Sequence, residues 1–92
     1  MNISFQQQVQ QRTVQLKIDA GFKWIESQGF RKQDLDVLQD KMLNVKAIDP
    51  TLSTHPKLAA LYAWIQQVKA DALAGNKTLL AAPFSLIDVL SE

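Results

Sequence analysis

From Thr13 to Trp24 the chain carries two hydrophobic patterns at once. Val14, Leu16, Ile18, Ala20, Phe22 and Trp24 alternate with polar or small residues, the period of a half-buried strand. Asp19-Ala20-Gly21 would then close a three-residue hairpin, with Gly21 in the left-handed position. The helical template accounts for more of the same residues. Gln8, Arg12, Gln15, Asp19, Lys23 and Glu26 follow at steps of three or four as a polar stripe. Val14, Ile18, Phe22 and Ile25 form an apolar stripe at the same spacing. Asp19 and Lys23 also stand in the favourable acid-before-base order at i, i+4. The segment is therefore read as a helix, an α+β fold with an N-terminal hairpin around residues 13–25 being the alternative. Leu16, Ala20 and Trp24 fall off the apolar stripe, so this helix is apolar on two sides and calls for a central place or a partner.

The later elements are simpler. Gly29 suits the left-handed cap that closes a helix, and a second helix runs roughly from Lys32 to Val45 on Leu35, Leu38, Met42 and Val45. Asp34 lies near its start, where the helix dipole favours an acid. Asp49-Pro50 and Ser53-Thr54 mark a loop from Lys46 to His55. Pro56 fits the first position of a third helix, capped by Thr54 or His55. Its core face reads Leu58, Leu61, Ile65, Val68 and Ala72, flanked by Tyr62 and Leu73, with Gly75-Asn76 at its end. Pro83 breaks the next stretch, and Ser85-Leu86-Ile87-Asp88 is a capping box opening a short helix through Leu90. The expected fold is all-α: residues 1–92 as a single helical domain, a small antiparallel bundle of three main helices plus a short C-terminal one.

Composition agrees with that reading. Glycine and proline number three each, too few for a turn-rich β fold. Cysteine is absent, which removes disulfides, thiolate metal sites and thiol nucleophiles. Together with an opening that lacks a signal-peptide pattern, this points to a cytoplasmic protein. No apolar run nears the ~20 residues of a membrane span, so no membrane partner is expected. A net charge of +1, with lysines and arginines scattered among acids, gives no basic field for nucleic acid. Gln6, Gln7, Gln8, Gln10 and Gln11 form a polar opening that fits a solvated helical start.

Candidate chemistry is sparse. His55 is the single histidine, so a paired-histidine metal site has no second ligand, and its position suits a cap or loop. Asp34, Asp36 and Asp40 gather on the second helix, but Asp36 and Asp40 are a like-charge i, i+4 pair, the mark of a solvated face. No serine sits in a nucleophile-elbow turn, and Gly21, Gly29 and Gly75 are too dispersed to cradle a phosphate. No catalytic, cofactor-binding or metal-binding residue is assigned, no cofactor is expected, and the chain is read as not an enzyme. A helix-turn-helix across Gly29 would present Arg31, Lys32, Gln33 and Gln39, but Asp34, Asp36 and Asp40 would then face phosphates. A small DNA-binding or transcription-modulating module is accordingly the alternative reading.

What remains is surface. Aromatic residues at helical spacing are usually core, yet Trp64 lies off the Leu58–Ile65 face and would be partly exposed in a small fold. Ala59, Ala63, Ala70 and Ala74 form a smooth side of the third helix against which another helix can approach closely. Leu16, Trp24, Trp64, Ala63 and Ala70 are the candidate interface residues. The stretch from His55-Pro56-Lys57-Leu58 through Leu61-Tyr62-Ala63-Trp64-Ile65 to Ala82-Pro83-Phe84-Ser85 resembles small open reading frames of phages and prophages. It covers about a third of the chain and implies only an accessory or assembly role. The expected function is a non-enzymatic interaction or assembly protein that binds protein, with self-association foremost.

Overall fold

The computed structural model describes residues 5–92, with side chains from Arg12 onward. Among those residues the chain forms α1 (Phe5–Ser27), α2 (Lys32–Ile48), α3 (Pro56–Leu73) and α4 (Leu86–Leu90), and no strand. The all-α class holds and the helices pack as a small bundle. The alternative hairpin does not form: residues 13–25 lie inside one continuous helix. The side chains of the glutamine-rich opening lie outside the described residues.

The pairing of α1 with α3 is the closest in the fold. A Cβ placed on Gly21 would stand 3.1 Å from the Cβ of Ala72 and 3.9 Å from the Lys69 Cα, so the two backbones approach where neither helix carries bulk. Lys17 reaches Gly75 one turn earlier along α1, which makes the pair antiparallel. Here the expected face needs correcting. The residues turned to α3 centre on Gly21 and Ile25, whereas Val14 and Phe22, assigned to the apolar stripe, are nearly half exposed. Hydrophobicity alone overlooks a glycine, but close approach is available only there.

α1 has 23 residues, about 34 Å of helix. Because α3 ends at Leu73, opposite the stretch around Lys17, the first part of α1 runs past it, and Arg12 through Leu16 are all exposed. Gly29, at a φ of 96° that L side chains rarely adopt, turns the chain out of α1. Phe30 follows as a wholly buried side chain, its ring 5.7 Å from that of Trp64. α2 then continues to Ile48, three residues beyond the expected end, with the Asp34 carboxylate accepting the Arg31 N–H at its start. α1 and α2 are not close neighbours along their lengths.

The loop that follows is held by one carboxylate. Asp49 accepts hydrogen bonds from the Thr54 N–H, the Thr54 and Ser53 hydroxyls and the Thr51 hydroxyl. These bonds, the Thr54 N–H foremost, outweigh partial desolvation and hold its carboxyl well below the usual carboxylate range. Leu52, at a φ of 57°, is left-handed although not a glycine, and its side chain is turned into the core.

The third-helix face was read correctly: Leu58, Leu61, Ile65, Val68 and Ala72 are all buried. The cap was read only in part. His55, one of the two expected residues, occupies the N-cap position, but its side chain makes no capping hydrogen bond. The Glu92 carboxylate accepts instead, from the N–H groups of Lys57 at 3.0 Å and Leu58 at 3.1 Å. α4 opens on the expected capping box, Ser85 with Asp88. It is tied to α2 by the Lys41 ammonium, which donates to the carbonyls of Val89 and Leu90.

Candidate functional site

Two kinds of surface remain open on this scaffold. The first is a groove of about 360 Å³ between α2 and α3. Its floor is apolar and buried, made by Leu38 and Met42 of α2 and by Leu58, Leu61 and Ile65 of α3. These residues were expected to be core, and they are, but the two helices stand apart above them. Leu43 on one wall and Tyr62 on the other, 62% and 48% exposed, are therefore the rim of a slot rather than members of a closed interface.

The polar groups of the rim are Gln39, Lys46, Gln66 and Lys69, with no carboxylate among the lining residues. The Lys46 ammonium lies 5.9 Å from the centre of the Tyr62 ring. That of Lys69 lies 5.2 Å from the centre of the Phe22 ring on α1. The groove is thus an apolar trough with a cationic edge, built from α2 and α3.

The second open surface is the outer side of α1 and α3. Leu16 is 63% exposed on the part of α1 that passes the end of α3. Ala63 and Ala70 are exposed on α3, while Ala59 packs partly against the core. These three interface candidates stand where a partner can reach them.

The tryptophans are turned inward, Trp64 fully and Trp24 in part. Trp64 was placed among the interface candidates because it lies off the Leu58–Ile65 face. The structure puts it in the core at 6% exposure, against Phe30 and beneath the segment that joins α3 to α4. That segment is the neighbour that covers the indole: its Leu80 carbonyl accepts the Trp64 indole N–H at 2.8 Å. Trp24 is half-buried and donates to the same oxygen, also at 2.8 Å. Next to it, the Gln28 amide oxygen accepts the Ala82 N–H. Both indoles thus hold the segment after α3 onto the bundle.

The remaining sequence candidates stay apart. Asp36 and Asp40 are exposed on α2, as a solvated face requires. His55 hydrogen-bonds the Thr54 hydroxyl in the loop. Among the described residues, no group of three or more His, Cys, Asp or Glu side chains could hold a metal ion. No helix among them is long and apolar enough to cross a membrane. No protein-family model, curated protein or solved structure matches this chain.

The groove itself was not foreseen. Its signal lay in Tyr62 and Leu43, large apolar side chains on the edges of two core stripes. Periodicity cannot say whether such an edge is covered.

Proposed function

We propose that this chain is a non-enzymatic interaction or assembly protein whose work is done by apolar helix surfaces. The observation that carries the reading is the α2/α3 groove: buried leucines form its floor, exposed Leu43 and Tyr62 its rim, and polar groups its margin. An apolar centre with a polar border is the anatomy of a protein-binding surface. The exposed Leu16 on α1, and Ala63 with Ala70 on α3, support self-association as part of the same role. The phage-type accessory role implied by residues 55–85 belongs to this proposal and has no further support. Nucleic-acid binding through α2 is disfavoured by the exposed Asp36 and Asp40, which would meet a phosphate backbone.

The test is a photo-crosslinking residue at position 43, with position 16 as a second site, in the protein expressed in its own cells. Discrete adducts, with a protein or with a second copy, support the reading. A clean monomer at high concentration that yields no adduct from either position ends it.

A further inference from the structure

We propose that the α2/α3 groove receives an acidic amphipathic α-helix of a partner protein. The inference rests on the interaction reading above and adds the chemistry of the occupant. Shape comes first. From Leu58 to Lys69 the α3 wall runs about 16 Å, or three helical turns. The α1–α3 contact at Gly21 falls on Ala72 and Lys69, at and just past the far end of that wall, so the trough beside Leu58 to Ile65 is left for a third helix laid on two.

Charge then selects among helices. Lys46 on α2 and Lys69 on α3 stand at the margin, and neither forms an ion pair among the described residues. Each ammonium rests near an aromatic ring, which orients the charge without neutralising it. Lys46 lies beside Tyr62, and Tyr62 and Lys69 are about two turns apart on α3. Carboxylates spaced about two turns apart along the flank of an incoming helix would meet both.

A second copy of this chain fits less well. The carboxylates of Asp88 and Glu92 are engaged in capping α4 and α3. On α2 the exposed apolar side chains beside Asp36 and Asp40 are Val37 and Leu43, and Leu43 is itself on the rim of the trough, which leaves too little apolar surface to fill it. On α1, Asp19 and Glu26 are interleaved with Lys17 and Lys23.

The test uses the full chain and three synthetic helical peptides of about 14 residues, enough to span the groove. All carry the same leucine face, flanked by glutamate, glutamine or lysine. Isothermal titration measures affinity, and NMR shifts at Leu43 and Tyr62 locate the site. The glutamate peptide is expected to saturate these shifts and to bind about tenfold or more tighter than the glutamine peptide. Its binding should weaken with salt, and the lysine peptide should not bind. Lys46→Glu with Lys69→Glu should reverse the order of glutamate and lysine peptides. The proposal is overturned if the three peptides bind alike or none binds. It also fails if laurate produces the same shifts and displaces the peptide, or if a concentration-dependent dimer dissolved by Leu43→Glu fills the groove. Peptide failure with crosslinking retained at position 43 removes the acidic-helix inference alone. Loss of adducts from both positions 43 and 16, in a monomer, removes the interaction reading too.

Discussion

Trp24 on α1 and Trp64 on α3 donate their indole N–H groups to the same oxygen, the carbonyl of Leu80, each at 2.8 Å. A carbonyl has two lone pairs, so one atom of an otherwise irregular segment can join two helices. Either indole alone still satisfies the carbonyl. Trp24→Phe should therefore cost about 0.5–1.5 kcal/mol, the worth of one hydrogen bond. Trp64→Phe should cost more, because the deeper ring also leaves a void. Removing both should cost more than the sum, because the segment loses its anchor. Urea denaturation of the four species followed by circular dichroism gives the coupling directly; strict additivity would mean that the shared oxygen does not couple the helices.

Gly21 sets how closely α1 and α3 pack. Gly21→Leu drives a side chain into Ala72 and should destabilise the fold by about 1–3 kcal/mol. Gly21→Leu should be relieved in part by Ala72→Gly, measured as a smaller loss in the double variant. A thermal melt of Gly21→Leu equal to that of the parent would mean that the contact is not maintained in solution.

The face of α3 admits a harsher test. Leu61 is fully buried, so Leu61→Asp places an unpaired charge in the core at a cost of several kcal/mol. Against a total stability of ~5–10 kcal/mol, this should abolish cooperative folding. Normal melting of that variant would mean that the helix face is assigned wrongly.

Acid should loosen the ends of the fold. For Glu92, desolvation pushes the carboxyl pKa up, but the Lys57 and Leu58 N–H bonds and the nearby His55 and Lys57 charges outweigh it, and the net shift is downward. Asp88 is also lowered, by its bonds from Ser85 first, as is Asp49 by the Thr54 N–H. A folded pKa below the unfolded one means stability present above the unfolded value and lost as pH falls through the folded one. With reference values of 4.5 for Glu92 and 3.8 for the two aspartates, melting temperature should hold steady above these values and decline below them. Glu92→Gln should melt lower at neutral pH and show a shallower acid decline. An identical pH profile in the variant would show that Glu92 does not cap α3 in solution.

Much of this fold was legible in the chain itself. The core face from Leu58 to Ala72, the Pro56 start and the Ser85–Asp88 capping box are local patterns. Each depends on residues within a few turns, where helix geometry fixes which side chains share a face. The choice of helix over hairpin for residues 13–25 was likewise right, because the 3.6-residue period explains more positions than alternation does. The groove was less legible, for it depends on how far apart two correctly identified helices stand.

By itself, then, the sequence determined the all-α class, the order and approximate extents of the helices, and most of the side chains that meet in the core. Tertiary structure decided the rest. It placed Gly21 rather than Phe22 at the α1–α3 contact, buried Trp64 in the core, set the Glu92 carboxylate on the N–H groups that open α3, and left Leu43 and Tyr62 along an open trough. The physical reason is separation along the chain. Burial of one helix face follows from its own period, but what covers an edge or satisfies a lone donor is set by residues tens of positions away. Their proximity exists only once the helices have packed.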